Sequence, residues 1–314
     1  MVPVDEIHTR QWCLAHQGGF LTPSHADAFG LCTSVEVVGS GKKLWALLRF
    51  TDPDGHALSY DELLHRGALT VSGAKGGTDG ANNTRLEIKS GDFRIQGCVV
   101  YLQAGQRLIM PPGQAHVVFT PVHCTSMGKQ FLCYDTLHLT EYERRLEKTT
   151  QAGGTNQNLD ALQHTVILMG AALPSRFMAG QKFCVKPLVA LCRMVLYPRD
   201  YIGPEAEKQY SGEALTFIRR MRKQGELAWV RGAVDMAAAE ACRRIMHILA
   251  KKGQDVSSDY LVRYGDQWRD PGPVVDTSHL AAYLKDLVNV TAPSLEGMFN
   301  VSKLATRQTS SKRQ

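Results

Sequence analysis

The chain has 314 residues, 44% hydrophobic and 21% charged, which suits one large globular domain or two ordinary ones with ample material for a core. No apolar run approaches the ~18 residues of a membrane span, so a membrane protein is not expected. The net charge is +6, but Lys303, Arg307, Lys312 and Arg313 put four of those charges in an acid-free tail. The rest is only mildly basic, without the broad basic surface of a nucleic-acid binder.

Met1–Glu6 has neither a basic region nor an apolar core, so no secretory signal is expected there. The eight cysteines (13, 32, 98, 124, 133, 184, 192 and 242) include no Cys-x-x-Cys pair. That spacing is wrong for a zinc finger and predicts mostly buried thiols in a reducing compartment. Gln11–His16 reads as a strand ending at a Gly18-Gly19 turn, with Trp12 and His16 as packing or surface residues. Next comes Leu21-Thr22-Pro23-Ser24-His25-Ala26-Asp27. In an extended strand residues i and i+2 share a face, so His25 and Asp27 can aim inward together. Strict alternation would put Thr22 and His25 on opposite faces unless Pro23 breaks the strand.

A Gly30 turn, a β-rich stretch over 33–38 and a turn at Gly39-Ser40-Gly41 lead to the strand Lys43-Leu44-Trp45-Ala46-Leu47-Leu48. This is the hairpin order a double-stranded β-helix would need. Lys43, Trp45 and Leu47 share one face. A lysine entering an apolar strand needs an anionic partner, unless it snorkels to water at the rim. Residues 51–92 read as an insertion, with a turn at 52–55, a short helix over 60–66 and a Gly-rich surface loop over 72–83. Those glycines lack the Lys-Ser or Lys-Thr step and following helix of a phosphate cradle, and His56 and His65 read as solvated.

Strands are expected at 94–102, 106–110, 116–120 and 130–134. His116 follows the turn Pro111-Pro112-Gly113 and opens an apolar strand. Set against the His25 strand, it gives two imidazoles and a carboxylate, the donor set of a non-haem iron(II) triad with open positions. The plainer alternative makes His25 and Asp27 a hydrogen-bonded loop pair. His123 is a rival third ligand, but it lies seven residues past His116 and beyond Pro121, so parity favours His116.

From Leu137 the period is helical, with helices expected at 139–148, 159–173, 186–196 and 225–252 and a linker at 151–158. In the last helix Leu227, Val230, Val234, Ala237, Ala241, Ile245 and Ile248 form an apolar stripe, suited to capping the β core or to a homodimer face. Arg219, Arg220, Arg222 and Lys223 suit a solvated face, or secondarily a docking patch for nucleic acid or a histone tail. Residues 301–314 are expected to be disordered.

Thr22-x-x-His25-x-Asp27, Lys43-Leu44-Trp45, and the run from Ala104-Gly105-Gln106-Arg107-Leu108-Ile109-Met110-Pro111-Pro112-Gly113 through His116-x-Val118-x-Thr120-Pro121-Val122 to Gly128-x-x-Phe131-Leu132 together resemble the jumonji C (JmjC) domain. They are most similar to its histone lysine demethylase branch associated with PHD fingers or F-boxes. The resemblance covers residues 12–150. It implies an α+β fold with a mainly β core, a double-stranded β-helix of jelly-roll or cupin type over 1–150. The 51–92 insertion interrupts that core, and a helical region over 151–300 and a basic tail over 301–314 follow it. The implied activity is that of a dioxygenase, with iron(II) held by His25, Asp27 and His116. The 2-oxoglutarate co-substrate would meet Lys43 and Thr22 at its distal carboxylate, and O2 would complete the reaction. The implied substrate is a protein, such as a methylated histone tail, and the expected location is the nucleus or the cytoplasm, with the nucleus favoured.

The sequence also departs from the family pattern. Gln114 stands where the family has an aromatic residue, no aromatic lies between Gly30 and Lys43, and Gln130 replaces a shorter amide. Only 24 residues precede His25, where the family carries several strands. These departures leave open a protein hydroxylase of the same class, a catalytically silent interaction scaffold, or a plain cupin-type metal protein.

Overall fold

The computed structural model describes residues 10–27, 30–60, 63, 69–72, 85–88, 93–150, 159–201, 233–257, 269–276 and 278–288. The expected loop at 73–83, the linker at 151–158, the segment 225–232, the cluster 219–223 and the tail 301–314 lie outside them, as do His65 and most of 60–66.

Among the described residues, two large antiparallel sheets and five helices make up a mixed α+β architecture. The first sheet is ordered β1 (Arg10–His16), β11 (Cys124–Phe131), β3 (Cys32–Val38), β9 (Arg107–Met110). The second runs β2 (Phe20–His25), β10 (His116–Val122), β4 (Lys42–Thr51), β5 (Ala57–Leu58), with β8 (Arg94–Gln103) also paired to β4. A separate ribbon pairs β6 (Leu69–Ser72) with β7 (Arg85–Ile88). The chain alternates between the two large sheets for most of its course, so sequence neighbours end up facing one another.

The inner faces meet in one apolar cluster: Val35 and Val37 from β3, Trp45 from β4, Val118 from β10, with Leu102, Met110 and Cys124. Their period-2 spacing is the sequence signal of a half-buried strand. β11 begins earlier than the strand expected at 130–134. Its inward residues are Cys124, Ser126, Gly128 and Gln130, small or polar, so no apolar alternation announces it. Trp12 covers the gap that Gly128 leaves.

The helices are α1 (Leu137–Thr150), α2 (Leu159–Met178), α3 (Val185–Leu196), α4 (Ala233–Lys251) and α5 (278–288). α3 is buried on nearly every side, which explains its continuous apolar run. The predicted stripe of α4 sits inside this layer: Ala241, Ile245 and Ile248 share a core with α2 and α3. Within the described residues these stripe positions pack against the chain's own helices. No described helix is long and apolar enough to cross a membrane. All eight cysteines are free, four of them buried.

Helix α1 joins the two halves. Its Thr140 backbone lies so close to Gly30 that a Cβ there would come within 2.8 Å of it, and Gly30 has φ +58°. Only glycine fits that contact in that conformation. Glu143, one turn on, lies against Gly113 and accepts a hydrogen bond from Ser59. The helical layer thus braces the Pro111-Pro112-Gly113 turn from behind.

Candidate metal centre and anion pocket

β2 and β10 are direct neighbours, with His25 opposite His116. Their rings lie 4.2 Å apart, centre to centre. The Asp27 carboxylate joins them, and one donor atom from each of the three lies within 4.8 Å of the other two. His123, the rival ligand, is exposed on the turn between β10 and β11, away from this group.

Each imidazole is oriented by the backbone beside it. His25 Nδ1 donates to the Pro23 carbonyl at 2.8 Å, and His116 Nδ1 donates to the Gln114 carbonyl at 2.8 Å. A carbonyl only accepts, so both rings carry a proton on Nδ1, which leaves Nε2 as the nitrogen that can face an ion. Ligating histidines are commonly held in this way. Thr33 Oγ1 donates to Asp27 Oδ2, leaving the other carboxylate oxygen for an ion. His116 is buried, and its pKa is pushed down to about 4, first by that burial and then by His25, with Asp27 opposing. It is therefore neutral at physiological pH, the state a metal ligand requires. The Trp45 indole leans on its ring at 5.1 Å.

The parity conflict between Thr22 and His25 has a structural answer. Between the pairs His116–His25 and Val118–Thr22, β2 advances three residues while β10 advances two. This β-bulge at Pro23–Ser24 turns Thr22 back to the inner face, opposite Val118. The bulge also exposes the Pro23 carbonyl that orients His25. The sequence reason is Pro23, which cannot donate to a ladder.

Two strand rows away from the triad, Lys43 is 2% exposed. Among the described residues no carboxylate forms a salt bridge with it, so the expected anionic partner is not found there. Its ammonium instead donates to His16 Nδ1 at 2.9 Å. Burial lowers the lysine pKa, with the Cys124 thiol opposing, and burial followed by Lys43 lowers that of His16. His16 thus stays a neutral acceptor. Three further buried polar atoms on these inner faces have no hydrogen-bond partner among the described residues: Trp45 Nε1, Thr120 Oγ1 and Ser126 Oγ. A buried cation among unused donors is costly unless something accepts from them.

The surroundings of Lys43 and of the triad differ. Beside Lys43 lie His16 stacked on Phe20, Gly19 bonded to the Thr120 carbonyl, and Gly41 packed against Cys124. Toward the triad the row His25–His116–Leu47–Cys98 runs outward across the sheet, and Cys98 and Gln96 on the inner face of β8 are exposed. Gln114 is occupied elsewhere, donating to the Leu48 and Ala115 carbonyls, so it pins the turn to β4 and adds nothing to the cleft.

His16, Thr33, Thr120 and Ser126 were not among the expected site residues. Each acts through a partner on another strand, and no local pattern marks that pairing. The only other group of potential ligands among the described residues is Asp52, Asp54 and His56, an exposed turn in which Asp52 already accepts from the His56 ring and backbone. Comparison of the sequence with models of known protein families gives no match. A search of curated proteins gives none either.

Proposed function

We propose that this chain is an iron(II)- and 2-oxoglutarate-dependent dioxygenase of the jumonji type, its two sheets forming a double-stranded β-helix, and that it acts on methylated lysine in a protein such as a histone tail. The observation that carries the reading is the pairing of a His25–Asp27–His116 donor set with a buried Lys43 that no carboxylate among the described residues neutralises. Two imidazoles with free Nε2 atoms and one carboxylate suit a divalent ion and leave coordination positions open. The orphaned donors around Lys43 suit the far carboxylate of a small diacid. When bound, the metal and co-substrate would supply the oxidising chemistry for attack on a C–H bond.

The chain's own residues do the rest. Thr33 keeps one Asp27 oxygen engaged, so the other faces the ion with a fixed direction. The Pro23 and Gln114 carbonyls hold the imidazole tautomers. Lys43 and Thr22 fix the far end of the diacid, and the burial of Lys43 keeps water from that charge pair, which strengthens it. The exposed side by Gln96 and Cys98 leaves room for a polymer to approach the triad. A side chain bearing an N-methyl group would lose it as formaldehyde, whereas an ordinary carbon would keep its new hydroxyl.

The test is succinate release from 2-oxoglutarate by the iron-loaded protein with ascorbate, scored alongside formaldehyde, using methylated histone peptides. Succinate with formaldehyde supports the demethylase, and a single-oxygen mass gain on a peptide points to a hydroxylase. Calorimetry that shows no binding of 2-oxoglutarate to the metal-loaded protein leaves the silent scaffold, a reading favoured by Gln114, whose side chain is turned away from the cleft.

A further inference from the structure

We propose that His16 acts as a positioning residue which, by holding the Lys43 ammonium, fixes the length of the diacid the cleft accepts. The inference rests on the function proposed above and names a determinant of its co-substrate selectivity.

A lysine ammonium sits on four flexible methylenes and ordinarily samples many positions. Here three contacts remove that freedom. The stem of Lys43 is packed between the sheets, its residue 2% exposed. Its Nζ is tied to His16 Nδ1 at 2.9 Å. His16 is in turn held by stacking on Phe20, the ring centroids 4.5 Å apart and the planes 25° from parallel, and by pairing opposite Cys124 across β1 and β11. An ammonium only donates, so Nδ1 accepts and the ring proton resides on Nε2. The other two ammonium hydrogens remain for a carboxylate. With the triad fixed at one end and Lys43 pinned at the other, the cleft measures the distance between the two ends of a diacid. A tethered cation discriminates length, whereas a freely moving one follows the ligand.

The experiment compares binding of oxaloacetate, 2-oxoglutarate and 2-oxoadipate to the manganese(II)-loaded protein by calorimetry, in the wild type and in two variants. His16→Phe keeps an aromatic ring on Phe20 and removes the acceptor. His16→Asn places an amide oxygen near the position of Nδ1. One methylene in a fitted site is worth about tenfold or more, so the wild type is expected to prefer 2-oxoglutarate over 2-oxoadipate by at least about that factor. His16→Phe should bring the ratio to within about threefold of unity, and His16→Asn should retain most of the preference. The proposal is overturned if the wild type shows no length preference, if His16→Phe keeps the wild-type ratio, or if His16→Asn loses it as fully as His16→Phe. Wild-type protein that takes up manganese(II) but binds none of the three acids defeats the underlying co-substrate reading instead.

Discussion

Two buried cations in this molecule are treated in opposite ways. In the helical half, Arg193 is 3% exposed and donates to the Glu141 carboxylate at 2.7 Å, where Tyr201 also donates at 2.5 Å. In the sheet half, Lys43 is equally buried and donates to a neutral imidazole, with no salt bridge to a carboxylate among the described residues. The helical cation is answered within the chain, so it serves the fold. The sheet cation has an unanswered charge, which a ligand can complete. Burial alone would not separate the two; the nature of the partner does.

The largest expected effect breaks this comparison directly. Glu141→Ala strands Arg193 in the core and should cost about 3–5 kcal/mol, read as a lowered denaturant midpoint. Lys43→Met in the same assay should be neutral or stabilising, because it removes a cation that lacks a counter-charge. A Lys43→Met loss as large as that of Glu141→Ala would erase the distinction. Next in size, Asp27→Ala should weaken manganese(II) binding by about 100-fold or more with little change in unfolding midpoint, whereas His116→Ala should weaken it as much and also lower the midpoint, because it opens a cavity beside Trp45.

Thr33→Val sharpens the contrast within the site. It removes the donor to Asp27 while keeping the side-chain volume, and should reduce metal affinity by about tenfold. Gln114→Ala should cost about 1 kcal/mol of stability through the lost hydrogen bonds to the Leu48 and Ala115 carbonyls, with 2-oxoglutarate affinity unchanged.

The smallest effect lies on the surface of the helical half. Arg244 donates to Glu240 at 2.9 Å, and that hydrogen bond holds the Glu240 carboxyl below its usual range. A depressed acid contributes stability that is present above its unfolded pKa and lost as pH falls through the folded value. Arg244→Ala should therefore cost under about 1 kcal/mol near pH 7, and the two proteins should converge in acid.

The sequence made parts of this legible for identifiable reasons. His25, Asp27 and His116 stood out because a Pro-Pro-Gly turn and an apolar strand surround the second histidine, and because i and i+2 share a face. Alternation put Lys43 on the same face as Trp45, and both are buried. The conflict between Thr22 and His25 was visible as a parity problem at Pro23, and the bulge is its solution. β11 was displaced in the reading because cysteine, serine and glycine fill its inner positions. The roles of His16 and Thr33 were not legible, since their partners lie 27 and six residues away on other segments and neither pairing leaves a mark on the local sequence.

The alternation of the chain between sheets has a consequence for how the protein comes to exist. β1 cannot find its neighbour until β11 has been made, and His25 waits for His116, so these strands settle only after partners some ninety or more residues further along the chain. Such long-range pairing predicts slow folding. Loop-closure entropy rises only slowly with length, so shortening or extending the stretch between β5 and β8 should retune the folding rate while the finished site keeps its shape.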